Sequence, residues 1–363
     1  MRIALTGLVA LAVAMGIGRF AFTPLLPMMQ SDAGLSLAQG GWLASANYAG
    51  YLIGALTAPR AFLGIRGSLL AIAIATFAMA LAHDFLSWIA LRALAGVASA
   101  WVLVQVSSWA LPRLSHPSLA GTVYAGVGAG IFAAGILCLV MMSFHAASRD
   151  AWMALGAVSL MATFFLWPGF VSAGIARAGF QKGGWNPQWL PLVTAYGAYG
   201  FGYIVPATFL PAMARELVDD PTIFGWAWPV FGLAAAASTL VLARFTVNDR
   251  RLWIAAQFAM ALGVAAPVAI EGLPGILLSA LFVGGTFVVI TMAAMREALA
   301  IAAEQAARLM AALTAAFAAG QVAGPVFVSL LVQQGWSFDT GLLIAGAILA
   351  ASACALISRR PRT

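Results

Sequence analysis

Stretches of about twenty apolar residues follow one another along this chain, and almost no charge interrupts them. A helix of that length crosses a hydrocarbon core of about 30 Å. Of 363 residues, 63% are hydrophobic and 8% charged, whereas soluble domains carry about 25% charged residues. Too few polar groups remain to cover a water-facing surface, so lipid must be the outer solvent. Lipid offers the backbone no hydrogen-bond partners, so the spans must be helices. Hydropathy and turn signals place them near 3–29, 38–59, 67–82, 86–111, 118–143, 151–170, 189–213, 222–243, 252–270, 273–295, 305–332 and 338–357. The expected fold is an all-α membrane protein of about twelve transmembrane helices, with no room for a soluble domain.

The basic residues orient it. With the N-terminus inside, Arg2, Arg60, Arg66, Arg113, Arg177, Lys182, Arg244, Arg250, Arg251, Arg296, Arg308, Arg359, Arg360 and Arg362 face the cytoplasm. Only Arg149 and Arg215 fall outside, a bias of 14 against 2. The expectation is a multi-pass protein of the bacterial inner membrane with both termini cytoplasmic. The apolar run after Met1 and Arg2 is longer than a signal-peptide core and no Ala-x-Ala site follows it, so it reads as the first span.

The halves repeat. Gly41-Trp42 recurs as Gly225-Trp226, Arg60 as Arg244 and Leu25-Leu26-Pro27 as Phe209-Leu210-Pro211, all at an offset of 184. Phe132-Ala133-Ala134-Gly135 recurs as Phe317-Ala318-Ala319-Gly320 at 185. One offset shared by four matches indicates a duplicated six-helix unit. The division expected is 1–170 and 189–363 as two pseudo-symmetric six-helix bundles, joined by a cytoplasmic linker at 171–188.

The six-plus-six arrangement resembles the major facilitator superfamily of transporters. Arg92-Ala-Leu-Ala-Gly96 is similar to that family's Arg-x3-Gly signature in the fourth helix. Gly126, Gly128, Gly130 and Gly135 resemble its glycine-rich fifth helix without the usual Pro, and Gly320-x3-Gly324-Pro325 resembles the counterpart in the second half. After the second span only Gly64, Arg66 and Gly67 remain of a Gly-x-Asp-Arg-x-Gly pattern; the acidic residue of its gating latch is missing. Gly16-Ile-Gly-Arg19-Phe20, Thr23-Pro24-Leu-Leu-Pro27 and Asn47-Tyr48 resemble a branch of small bacterial members, most of them uncharacterised. The resemblance implies alternating access, with spans 1, 4, 7 and 10 lining a central cavity.

Arg19 and Arg92 lie deep in predicted spans, and no Asp or Glu does. A buried Arg costs about 2.5–3.5 kcal/mol on insertion scales, so it faces a partner or a wet cavity. Guanidinium is permanently charged and bidentate toward carboxylate, so Arg19 is the expected anion contact. Arg92 either touches substrate or, as in the superfamily, braces backbone carbonyls. Tyr196, Tyr199 and Tyr203 share one helical face of the seventh span, and Tyr203 duplicates Arg19 at the offset of 184. Three phenols on one face suggest a polar cavity; the alternative is packing with interfacial anchoring. Asn47 and Tyr51 share a face of the second span and join the candidate set. Trp101 and Gln105 point about half a turn away from Arg92 and do not. Gly126/Gly130 and Gly320/Gly324 have GxxxG spacing; with Pro325 and Arg66 they are the expected packing and gating residues.

Other chemistry is excluded or unsupported. The basic residues form no aromatic-interleaved run, which argues against nucleic acid. Cys138 and Cys354 read as apolar fillers, and His83, His116 and His145 lack metal-ligand spacing. No phosphate-binding Gly-x4-Gly-Lys-Ser/Thr run occurs, and no paired carboxylates or Ser/His set suggests an enzyme. No cofactor, metal or obligate protein partner is expected, and the protein reads as a monomer in the lipid bilayer. The function expected is transport of a small organic anion, with efflux of hydrophobic or drug-like compounds as the alternative. No intramembrane acid or His offers a proton relay, which leaves exchange, facilitated diffusion or symport in which substrate brings the proton.

Overall fold

A computed structural model describes residues 1–170, 185–217, 226–245 and 247–358. The side chains of 37, 38, 208–217, 227 and 358 are outside that description. So are residues 171–184 with Arg177 and Lys182, residues 218–225 with Asp219, Asp220 and Gly225, and the arginines after Ser358.

The described residues form twelve helical spans and no strand. They are α1 (Arg2–Asp32), α2 (Leu37–Thr57), α3 (Ile65–Met79), α4 (Phe85–Ala110), α5 (Leu119–Ser143), α6 (Ser148–Leu166), α7 (Leu190–Leu217), α8 (Ala227–Leu242), α9 (Asp249–Ala269), α10 (Leu273–Ala302), α11 (Ala306–Gln333) and α12 (Phe338–Ser358). Short polar caps start several of them. Ser36 and Gln39 form a reciprocal capping box at α2. The Asp84 carboxylate accepts from the Ser87 backbone at 2.8 Å and caps α4. The Ser87 hydroxyl, donating to the same carboxylate at 2.6 Å, and that backbone bond hold its pKa below the ordinary carboxylate range.

Helix packing carries the duplication. In the first half α1 packs on α5, α2 on α4, α3 on α4 and α3 on α6. In the second half α7 packs on α11, α8 on α10, α9 on α10 and α9 on α12, each pair the equivalent of one in the first half. The halves meet through α5 against α8 and α2 against α11, again a symmetric pair of contacts. Call the basic face the one where α1 begins and α12 ends. There the turn Leu111–Arg113 reaches α10, and Ala58–Arg60 reaches α11.

Two helices depart from the expected spans. The sequence predicts one continuous first helix over 3–29; instead α1 breaks. It runs as α-helix over Arg2–Leu11, widens into a π-turn over Ala12–Ile17, and resumes at Phe22–Asp32. Gly16 explains part of this: a Cβ there would lie 2.3 Å from Gly130 Cα, so α1 and α5 backbones touch at that level. The other departure is α10, which runs seven residues past 295 to Ala302 and carries Arg296 and Glu297 on its last turns.

Candidate functional site

The break in α1 leaves backbone carbonyls without helical partners at mid-depth. Such groups cost several kcal/mol in lipid unless protein satisfies them. Here α2 and α4 do so. Ser99 Oγ donates to Ala14 O at 2.7 Å. Arg92 Nη1 donates to Gly18 O at 3.1 Å and Nη2 to Arg19 O at 2.9 Å. Asn47 Nδ2 donates to Arg92 O at 2.9 Å and to Gly18 O at 3.4 Å. Gly96 lets this happen: a Cβ there would sit 2.2 Å from Asn47 O, so only glycine brings α4 onto α2. The Arg-x3-Gly signature thus has a local reason. Its Arg holds the broken helix and its Gly admits the neighbour that helps.

The turn so held presents Arg19 to the middle of the molecule. Arg19 is 2% exposed. Its Cζ lies 3.7 Å from the Tyr51 ring centroid, 5.2 Å from Phe20, 5.6 Å from Phe317 and 5.8 Å from Tyr48. Desolvated contacts of this kind are worth about 2 kcal/mol or more, but they do not neutralise the charge. Nη2 donates across the molecule to Gln321 Oε1 on α11. Nε and Nη1 have no hydrogen-bond partner among the described residues. No carboxylate there pairs with Arg19 or Arg92; the ion pairs seen are Arg296–Asp249 at 3.0 Å and Arg250–Glu297 at 3.9 Å, both at the basic face.

The candidate tyrosines are buried on the opposite wall. Tyr196, Tyr199 and Tyr203 are each at most 2% exposed, which leaves no interfacial anchoring. The Tyr199 hydroxyl donates to Phe287 O at 2.8 Å, and the Tyr196 hydroxyl to Thr291 Oγ1 at 3.2 Å. Tyr203 stacks on Phe287 at 4.4 Å. Phe317 bridges the walls, 4.8 Å from Tyr199 and 6.0 Å from Tyr203 on one side and facing Arg19 on the other. Phe20 adds an edge-on contact to Phe287 at 5.6 Å. Arg19, Tyr51, Tyr199 and Tyr203 therefore surround one closed centre. Arg92 and Asn47 stand behind it, with their hydrogen bonds directed at α1. The guanidinium of Arg92 also lies 5.2 Å from the Phe22 ring and 6.0 Å from that of Trp152.

Gln321, Phe317, Phe20 and Tyr48 are absent from the sequence-derived set. A readable signal existed for Gln321, an uncharged polar residue directly after Gly320 in an apolar helix. Trp101 and Gln105 do turn away, bonding Thr57 Oγ1 at 3.0 Å and Leu63 O at 2.9 Å.

The candidate packing and gating glycines lie in two separate seams. Gly126 and Gly130 face α1 inside one half, where a Cβ would meet Leu8 O at 2.0 Å or Ala12 O at 2.4 Å. Gly320 and Gly324 face α7 inside the other, against Gly197 O at 2.2 Å and the Ile204 side chain at 2.5 Å. These seams bind each half together. The contact between halves uses Gly121, Gly128 and Gly135 of α5 against α8. Pro325 lies inside α11. Arg66 lies 5.2 Å over Trp167. The acid missing beside Arg66 is present in the duplicate: Ile65 and Arg66 correspond to Asp249 and Arg250 at the offset of 184, and this pair binds Arg296 and Glu297. A cavity of about 260 Å³ lies there between Leu111, Leu114 and Pro117 of one half and Asp249, Arg296 and Leu299 of the other. Among the described residues no His/Cys/Asp/Glu group could hold a metal.

Twelve helical spans in two paired halves, with a buried cation at their centre, form an all-helical membrane protein. The chain belongs to the family described as "Uncharacterised MFS-type transporter YbfB", whose pattern matches residues 11–358. It is therefore a multi-pass membrane transporter of the major facilitator superfamily, and not an enzyme. Among solved structures it is similar to the human organic anion transporter MFSD10 (TETRAN), with a TM-score of 0.73 and 15% identity over 98% of this chain and 99% of that one. No curated protein matches the sequence.

Proposed function

We propose that this transporter carries a small organic anion of the carboxylate type by alternating access between its two halves. The observation that carries the reading is Arg19: a buried guanidinium at the centre, without a counter-charge, with two nitrogens unpartnered. A buried N–H left unbonded costs about 1–3 kcal/mol, more on a charged group. A carboxylate removes that cost and the unpaired charge together, and a cation would add to both. The aromatic walls suit an apolar or aromatic body on the anion. Tyr51 and Tyr203 flank it, and Arg92 and Asn47 act by holding Arg19 in place. MFSD10, whose fold this chain shares at 15% identity, is itself an organic anion transporter. The charge bias of 14 against 2 supports a bacterial inner membrane with both termini cytoplasmic. A monomer suffices, since one chain supplies the whole site.

The test is thermal stabilisation of the detergent-purified protein by carboxylates, organic cations and neutral lipophiles. A ligand at 100 times its dissociation constant adds about 2.7 kcal/mol. Carboxylates are expected to stabilise the wild type and to leave Arg19→Ala unchanged. Stabilisation of both proteins by lipophiles alone would replace this reading with efflux of hydrophobic compounds.

A further inference from the structure

The Arg19–Gln321 hydrogen bond joins α1 of one half to α11 of the other through the middle of the site. Arg19 has two edges able to grip a carboxylate with parallel bonds: Nη1 with Nη2, and Nε with Nη2. Nη2 belongs to both, and the Gln321 oxygen sits on Nη2. The nitrogens left free, Nε and Nη1, lie one on each edge. Nη2 carries one N–H on each edge, so the Gln321 oxygen fills one edge, and a carboxylate gripping that edge with both bonds meets it. The carboxamide is itself held on one side only. Its Nε2 is buried and has no hydrogen-bond partner among the described residues, so no second hydrogen bond ties the amide in place.

We infer that Gln321 is an internal stand-in for substrate: it occupies Arg19 in the empty carrier and is displaced by the substrate carboxylate. The inference rests on the anion reading of Arg19. Its consequence is for coupling. An empty carrier can close around an isolated buried charge only if something takes that charge's hydrogen bonds. Gln321 does so from the opposite half, and the closed empty state follows. Net transport requires that state, because the carrier must return without cargo. A chain lacking the carboxamide closes only around an anion and becomes an exchanger.

The experiment uses acetate, benzoate and succinate as probes in thermal titrations of wild type, Arg19→Ala, Gln321→Glu and Gln321→Leu. Gln321→Glu supplies a built-in carboxylate. It should melt higher than wild type without ligand and need at least tenfold more probe for the same shift. Gln321→Leu should melt lower without ligand and bind the probe as tightly as wild type or more tightly. Wild-type titrations from both Gln321 variants, beside a silent Arg19→Ala, would overturn the stand-in role and keep the anion site. Weakened binding in Gln321→Leu, matching Arg19→Ala, would make Gln321 a ligand of substrate and not its competitor. Probe binding by Arg19→Ala, or none by the wild type, would remove both inferences.

Discussion

Arg92→Ala should melt far below the wild type and lose anion binding with it. The side chain makes two charge-assisted hydrogen bonds to the broken turn of α1, at 3.1 and 2.9 Å. Each such bond is worth about 1.5–3 kcal/mol, which puts the loss at about 3–6 kcal/mol. No water at that depth replaces the donors, because Arg92 is 3% exposed. Arg92→Lys should recover part of the stability, since an ammonium lacks the fork that reaches two carbonyls at once. Melting curves in detergent and hydrogen exchange over residues 16–22 measure both. Exchange there should rise in Arg92→Ala while α7–α12 keep their protection. A variant that melts like the wild type yet binds no anion would instead make Arg92 a direct ligand.

The same turn marks where the sequence was legible and where it was not. Spans were readable because each helix must present apolar side chains to lipid over a fixed length, and composition records that. The duplication was readable because matched pairs such as Arg60 and Arg244 end equivalent helices. The break in α1 was not, because Ala12–Ile17 has ordinary apolar composition. Its π-turn is accommodated where Gly16 meets Gly130 and where Asn47, Arg92 and Ser99 arrive from other helices. Hydropathy carries no record of a partner supplied by another span.

The site shows the same division. Arg19 stood out by charge, and its place at the centre follows from depth. Arg92 looked equivalent by that measure, and only the direction of its hydrogen bonds separates the two roles. Tyr196, Tyr199 and Tyr203 lie buried along one helix, α7, at the spacing of a single face. Helical spacing could not tell that two hydroxyls turn onto Thr291 and Phe287 of α10. Gln321 was missed because one amide among Ala and Gly is a weak signal until its partner, 302 residues away, is known.

Gly128→Ile should abolish transport while leaving each half folded. Gly126 and Gly130 stand on one side of α5 and Gly128 on the other, since two residues turn a helix by about 200°. A Cβ on Gly128 would lie 2.4 Å from Ala236 N and 2.6 Å from Gly232 O of α8. Both are backbone atoms, so the only relief is to move α8, and α8 belongs to the other half. Gly121 and Gly135 repeat the contact at seven-residue spacing, against Ala243 Cβ at 2.3 Å and Pro229 Cδ at 2.9 Å. If transport proceeds by the alternating access proposed above, this is the surface along which the halves separate and rejoin. Forced apart at its midpoint, the variant should hold spin labels at Arg60 and Ile301 farther apart than the wild type does. Net transport should fall at least tenfold. Gly130→Ile is the contrast: its clash is with Ala12 O at 2.4 Å, inside one half, so it should fail to fold instead of changing state. Wild-type transport by Gly128→Ile would mean that the close α5–α8 contact is not a step of the cycle, and the moving surface would have to be sought at α2 and α11.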